Sequence, residues 1–472
     1  MKSIRTLAFI LTIILILGAG WFFFPAEGIT IGNQNLRFPS YAEDSKPAEK
    51  EVNVDDVLNK VTKSFEMTCS DNMLDSMRFF RSYLKENPNR IYLPNDDYTY
   101  FDPLFHQLEQ AQSQGKTYRV MHYGDSQIEM DRISYQLRAY MQQHFGGGGP
   151  GMLPFRTIIA STSVSQSASG NLTHLASFGD STVVRSRGNY GPMMQCFRMA
   201  GNASTSIKAS SNSKTDSRLK LFSRIRLVYN NRSGNLKATL SEKKKRHKES
   251  FTSKKKGVGS MLWTLNSATA SFNINTTGDA DLYCVTVDNG PGVAVDNIPM
   301  RGCSGSQFTS VDKELLKQAY AQLDVAMIIL QFGGNSVPYI KSKKAISTYC
   351  STMGKQIDYL HQCCPQAKIL FVGPSDMSTS ERGKLQTYPM LPALVDSLRV
   401  TANRHGAAFW SIYHAMGGRN SMLSWKKQGL SGSDYVHFTP KGAVMMGERL
   451  STAFDNSYRL YTMKRRLKAI KK

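Results

Sequence analysis

Asp324 to Gln331 (Asp-Val-Ala-Met-Ile-Ile-Leu-Gln) is a nearly unbroken apolar run that leads directly into a glycine pair, Gly333-Gly334. A run of this length without polar alternation suits a strand buried on both faces, and such strands belong to parallel sheets covered by helices above and below. Tyr118 to Tyr123 and Val293 to Ile298 read as two further strands, and Gln127 to Phe145 as an amphipathic helix after the first of them. The expected fold class is α/β, a doubly wound parallel sheet.

That sheet is interrupted. In a compact doubly wound domain the first helix leads by a short loop to the next strand, yet well over a hundred residues separate Phe145 from Val293. From about Thr157 to Gly290 the chain is rich in Ser, Thr, Asn and Gly. It carries short alternating runs at Ser223 to Tyr229, Leu236 to Leu240 and Ala270 to Asn275. Short strands between turn signals indicate an inserted all-β module, a sandwich or jelly roll. Trp263 and Tyr229 could form a glycan platform in it or belong to its core.

Three clusters follow predicted strands or lie near the C-terminus: Gly124-Asp125-Ser126, Gly333-Gly334-Asn335 and Asp434-Tyr435-Val436-His437. A serine hydroxyl is a weak nucleophile at neutral pH and needs a base for its proton and donors for the oxyanion it creates. His437 can be that base. Asp434, three residues earlier, can hold one ring nitrogen while the other faces Ser126. Asn335 offers a neutral amide and Gly305 a backbone N–H, both suited to an oxyanion, as is the N–H of Ser126 itself. Singly, each cluster is an ordinary turn or cap; in order, directly after strands, they converge on one site. Of the nearby titratable groups, His122 reads as a structural histidine within a strand, and Glu129 and Asp131 as surface groups of the first helix.

These blocks resemble the SGNH hydrolase superfamily, whose Gly-Asp-Ser, Gly, Gly-x-Asn and Asp-x-x-His motifs occur in this order. Within it the chain looks most like the peptidoglycan O-acetylesterases. That likeness rests on Phe409-Trp410-Ser411, Ala415-Met416-Gly417-Gly418, Ser421-Met422, Trp425, Gly429 and Asp434 to Phe438. It also rests on the glycine-rich Phe145 to Gly151. The likeness covers about Tyr118 to Phe454. It implies a flavodoxin-like SGNH sheet, a triad of Ser126, Asp434 and His437, an oxyanion hole of Ser126, Gly305 and Asn335, and a small β-module similar to a carbohydrate-binding jelly roll. Many relatives carry an acidic residue after the Asn of the third block; this chain has Ser336.

Leu7 to Phe24 is an uncharged apolar run of 18 residues preceded by Lys2 and Arg5. As a helix it would reach about 27 Å. Basic residues before such a span place the remainder outside the cytoplasm, and an uncleaved anchor competes with a signal peptide cleaved near Gly18-Ala19-Gly20. Helical spacing of Val57, Leu58, Val61, Phe65 and Met67 predicts a helix over Asp55 to Leu84, with another from Asp102 to Gln114. The expected organisation is an anchor over 1–28, a polar spacer over 29–54 and a helical segment over 55–116. The hydrolase domain follows over 117–156 and 291–460, split by the module at 157–290, and a basic tail occupies 461–472.

Seven unevenly spaced cysteines show no metal-binding pattern, so no metal or organic cofactor is expected. Cys196 and Cys284 could bridge within the module, while Cys303 reads as a small buried residue. The net charge of +23 is concentrated. Glu242 to Lys256 holds eight basic and two acidic residues, and Lys464 to Lys472 holds six basic and none acidic. A hairpin loop and a solvated tail account for these, with anionic wall polymer or lipid as partner rather than nucleic acid. The expected activity is an exported, membrane-anchored serine esterase removing O-acetyl groups from peptidoglycan. Another glycan such as acetylated xylan, a short-chain lipid, acetyl transfer and a silent wall-binding scaffold remain the alternatives. The oligomeric state is left open.

Overall fold

The computed structural model describes residues 2–23, 29–31, 34–36, 73–180, 183–212, 215–242, 247–381 and 383–470. Residues 1–51 and 52–472 form two separate units. In the first, Lys2–Phe23 is a helix of 22 residues, and Ile29–Ile31 pairs antiparallel with Gln34–Leu36 within the expected spacer. Among the described residues no helix is long and apolar enough to cross a membrane. The expected anchor over 1–28 therefore gains no support. The helical spacing at Val57 to Met67 lies outside the described residues; the helix found nearby is Met73–Glu86.

The second unit is built on a six-stranded sheet. Its strands are β1 (Ile91–Tyr92), β2 (Thr117–Gly124), β3 (Gly292–Pro299), β4 (Val325–Gln331), β5 (Lys368–Gly373) and β6 (Ala408–Ser411), in the order β3-β2-β4-β5-β6-β1. All pairings are parallel except that of β6 with the short edge strand β1. Apart from β1 this is the flavodoxin-like arrangement, in which the second strand lies outside the first and the later ones add on the other side. Side-chain alternation divides the sheet residues between two cores. Val120, Ile329, Leu370, Val372 and Trp410 face Leu104, Leu137, Met141 and Phe454. Met121, Tyr123, Ile328, Leu330, Ile369 and Phe371 face Leu316, Met353, Ile357 and Leu394. All seven residues of β4 are buried, which is why it lacks polar alternation.

The β-module begins earlier than expected, at Gly151–Leu153, and runs to the end of the 18-residue strand Ser271–Asp288. Its eight strands form one connected hydrogen-bonded sheet rather than two separate ones. The long strand is the reason. Its first part lies between Gln195–Ala209 and Leu236–Glu242, and its second between Phe222–Asn231 and Gly151–Leu153. The sheet folds over an apolar core that includes Trp263, Tyr229, Phe197, Phe222 and Phe272. Trp263 and Tyr229 are therefore core residues and offer no glycan platform.

Five further expectations are corrected. The predicted helix Gln127 to Phe145 is a 3-10 turn, Ser126–Asp131, followed by an α-helix, Ser134–Phe145; the break falls where Met130 and Asp131 adopt positive φ of 57° and 66°. Asp102 to Gln114 is helical only over Asp102–Glu109. Cys196 and Cys284 are buried free thiols, as are the other described cysteines, and the Cys196 thiol donates to the Asn189 carbonyl. The C-terminal run is not a free tail as far as Ile470: the helix Pro440–Ile470 takes in its described residues. Lys464 there donates to the Tyr98 carbonyl at 2.6 Å and Arg465 pairs with Glu109. The basic run at Glu242 also lies partly in strand, since Leu236–Glu242 and His247–Ser253 pair as a hairpin.

Candidate active site

Parallel strands end together at one edge of a sheet, and loops there meet even when far apart in sequence. Ser126 lies two residues beyond β2. The Asp125 carboxylate accepts the Gln127 N–H at 2.9 Å and so caps the 3-10 turn that begins at Ser126. Gly333, with φ of 123°, turns the chain sharply after β4 and brings out Asn335. Gly305 also needs to be glycine: its φ is 89°, and a Cβ would sit 2.8 Å from the Phe332 ring.

The fourth segment folds around its own aspartate. Oδ1 of Asp434 accepts the backbone N–H groups of Val436 and His437 at 3.0 and 3.1 Å, and Tyr435 adopts a positive φ of 54° to close the turn. Oδ2 then meets Nδ1 of His437 at 2.7 Å, and Nε2 lies 2.8 Å from the Ser126 hydroxyl. Because an ionised carboxylate only accepts, Nδ1 carries the proton and Nε2 is free to accept from serine. Burial raises the Asp434 pKa, but hydrogen bonds from the His437 ring and from the His437 and Val436 backbone outweigh it and hold the carboxyl below its ordinary range. The carboxylate thus stays charged beside the imidazole.

Ser126, Asn335 and His437 line one open cavity of about 240 Å³, together with Pro374, Met377 and Val436. Gly305 is outside that lining. Its loop is joined to the site through Cys303, whose carbonyl accepts Asn335 Nδ2 at 3.1 Å. The same nitrogen donates to Asp125 Oδ2 at 3.2 Å, so both amide hydrogens are engaged. Any further acceptor at this amide must share one of them. Among the described residues the backbone N–H groups of Ser126 and Gly305 have no hydrogen-bond partner. Burial pushes the Asp125 carboxyl up to about 6, opposed by the bond from the Gln127 N–H.

Two positioning residues had no sequence signal of their own, and a third, Asp125, was legible only as part of the Gly-Asp-Ser block. Gln127 donates to the Val436 carbonyl at 2.6 Å and accepts from the Phe438 N–H, fastening the serine turn to the histidine turn. Arg132 donates to the Ser126 carbonyl at 2.6 Å and reaches the Phe438 carbonyl. Asp125 itself orients Asn335. His122 is fully buried, bonded to Gln331 and Ser134, with its pKa driven down to about 4 by burial, as suits a structural histidine. Glu129 and Asp131, by contrast, are buried rather than surface groups. Glu129 pairs with Arg301 at 2.6 Å and Asp131 with Arg138 at 3.0 Å, partners that the helical pattern could not supply. Among the described residues no cluster of His, Cys, Asp and Glu could hold a metal ion.

Residues 266–444 match the GDSL-like Lipase/Acylhydrolase family. A solved structure described as "Peptidoglycan O-acetylesterase in action, 5 min" is 21% identical, with 76% of this chain and 96% of that chain covered, at a TM-score of 0.61. A family two carbohydrate esterase from Cellvibrio japonicus is 10% identical over 64% of this chain and 99% of its own, at a TM-score of 0.25. One from Clostridium thermocellum in complex with cellohexaose is 9% identical over 61% and 100%, at 0.26. A comparison with curated proteins found no match. Residues 266–444 are thus similar to a GDSL-like lipase/acylhydrolase domain, and the chain shares the fold of the peptidoglycan O-acetylesterase structure.

Proposed function

We propose that this protein is a serine esterase that removes O-acetyl groups from a cell-wall glycan, with O-acetylated peptidoglycan as the substrate class. The observation that carries the reading is the continuous relay from Asp434 through His437 to Ser126 at the mouth of a cavity large enough for an acetyl group. Ser126 attacks the acetyl carbonyl as His437 takes its proton, and the oxyanion forms beside the Ser126 and Gly305 N–H groups and the Asn335 amide. His437 then protonates the departing sugar oxygen and activates water against the acyl-enzyme. The shared fold with a peptidoglycan O-acetylesterase supports the glycan class.

Acetate release from O-acetylated sacculi and from acetylated xylan tests this directly. Faster release from sacculi is expected; release from xylan alone would move the protein to another glycan. Asn335→Ala is expected to lower kcat about 10² to 10³-fold, the usual loss for one oxyanion donor. A loss under about threefold in kcat would leave Asn335 only the task of tying Asp125 to Cys303.

The same reading has the enzyme exported and held at the cytoplasmic membrane by its N-terminal apolar run. Lys2 and Arg5 ahead of the uncharged run Leu7 to Phe24 support that orientation.

A further inference from the structure

Beside the catalytic cavity lies a wider, open trough of about 700 Å³. The two share Asn335 and Tyr339, so a ligand can pass from one to the other without leaving the protein surface. The walls of the trough are rich in hydroxyls, with Ser304, Ser306, Ser336 and Thr348 among them, and Lys344 adds a cation. Tyr349 donates to the Ser304 carbonyl at 2.6 Å and so fixes one wall.

Tyr339 is the unusual element. It is 82% exposed, although it ends a 3-10 turn, Gly334–Tyr339, whose neighbours are firmly anchored. Val337 and Ile340 are buried on either side, the Ile340 N–H donates to the Val337 carbonyl, and Pro338 restricts the backbone between them. An exposed aromatic ring on a rigid turn is already positioned for a ligand that covers it, so little ordering is left to do on binding. A pyranose fits these surroundings: its C–H face stacks on an aromatic ring while its hydroxyls meet serine and threonine side chains.

We propose that this trough is a subsite for the sugar adjoining the acetylated residue, with Tyr339 as its stacking floor and Lys344 placed for a carboxylate carried by the glycan. This rests on the glycan esterase reading. It makes Tyr339 a determinant of preference for polymer over small acetyl esters, since a small ester fills only the catalytic cavity.

The test compares kcat/KM on O-acetylated peptidoglycan fragments with kcat/KM on p-nitrophenyl acetate for wild type, Tyr339→Ala and Tyr339→Trp. The ratio of the two is expected to fall about threefold to tenfold in Tyr339→Ala, chiefly through KM for the fragments, as the loss of one aromatic contact implies. Tyr339→Trp should restore it. An unchanged ratio, or an equal fall on both substrates, overturns the subsite. If the wild type hydrolyses p-nitrophenyl acetate but releases no acetate from the fragments, the glycan reading itself fails and the subsite falls with it. Acetate release by wild type with an unmoved ratio in Tyr339→Ala removes the subsite alone.

Discussion

Ser126→Ala is expected to reduce kcat toward any ester by at least about 10⁴-fold while leaving the fold intact, because the nucleophile of a triad cannot be replaced by its neighbours. The Ser126 hydroxyl has one side-chain partner, Nε2 of His437 at 2.8 Å, and the residue is partly exposed at the cavity mouth. Its loss leaves no buried group unpaired. His437 remains held by Asp434, and Arg132 still grips the carbonyl of residue 126. A stability change within about 0.5 kcal/mol follows, as for other substitutions away from the core. Activity by acetate release, with urea unfolding as the control for folding, checks both halves. Substantial activity in a folded variant would require a different nucleophile.

The largest effect on stability is expected at Arg119. This residue in β2 is fully buried, between Asp288 at the end of the module's long strand and Asp296 in β3. Its guanidinium donates to Asp288 Oδ2 at 2.7 Å and to Asp296 Oδ2 at 2.8 Å, and Asp296 also accepts the Met152 N–H at 2.8 Å. Burial works against the guanidinium's charge, but the two carboxylates more than compensate and raise its pKa. The group therefore ties the first and last strands of the module to the catalytic sheet at the point where the chain crosses between them. Arg119→Met preserves much of the volume and strands two carboxylates in the interior. Breaking a buried pair in this way costs about 3 to 5 kcal/mol, a large share of the roughly 5 to 15 kcal/mol that holds an ordinary domain. Urea unfolding should show a midpoint lowered accordingly. A loss below about 1 kcal/mol would mean that water reaches these carboxylates and that the module is attached by other contacts.

The parts of this molecule that were legible in its sequence are those whose cause is local. Val325 to Leu330 announces a strand covered on both faces because every side chain in it is buried. Asp434 and His437 could be paired because three residues on one turn suffice to join carboxylate to imidazole. Where the cause is a distant partner, the pattern misleads. Glu129 and Asp131 look like solvent-facing helix residues, yet both are buried, Asp131 against the buried Arg138 and Glu129 beneath the exposed Arg301. The backbone reversal at Met130 and Asp131 has no glycine or proline to signal it. Asn335 was recognisable as a donor, but not that Asp125 and Cys303 already engage its amide. Lys464 reads as part of a solvated tail until the helix Pro440–Ile470 carries it to Tyr98 and Asp102.

The central claim is that Ser126 is a nucleophile activated by His437. Reaction of the intact protein with a serine-reactive phosphonate, followed by peptide mapping, tests it most directly. The account predicts one adduct per chain, on Ser126, and its absence from His437→Ala under the same conditions. Labelling of another serine, or equal labelling of Ser126 with His437 removed, would contradict it.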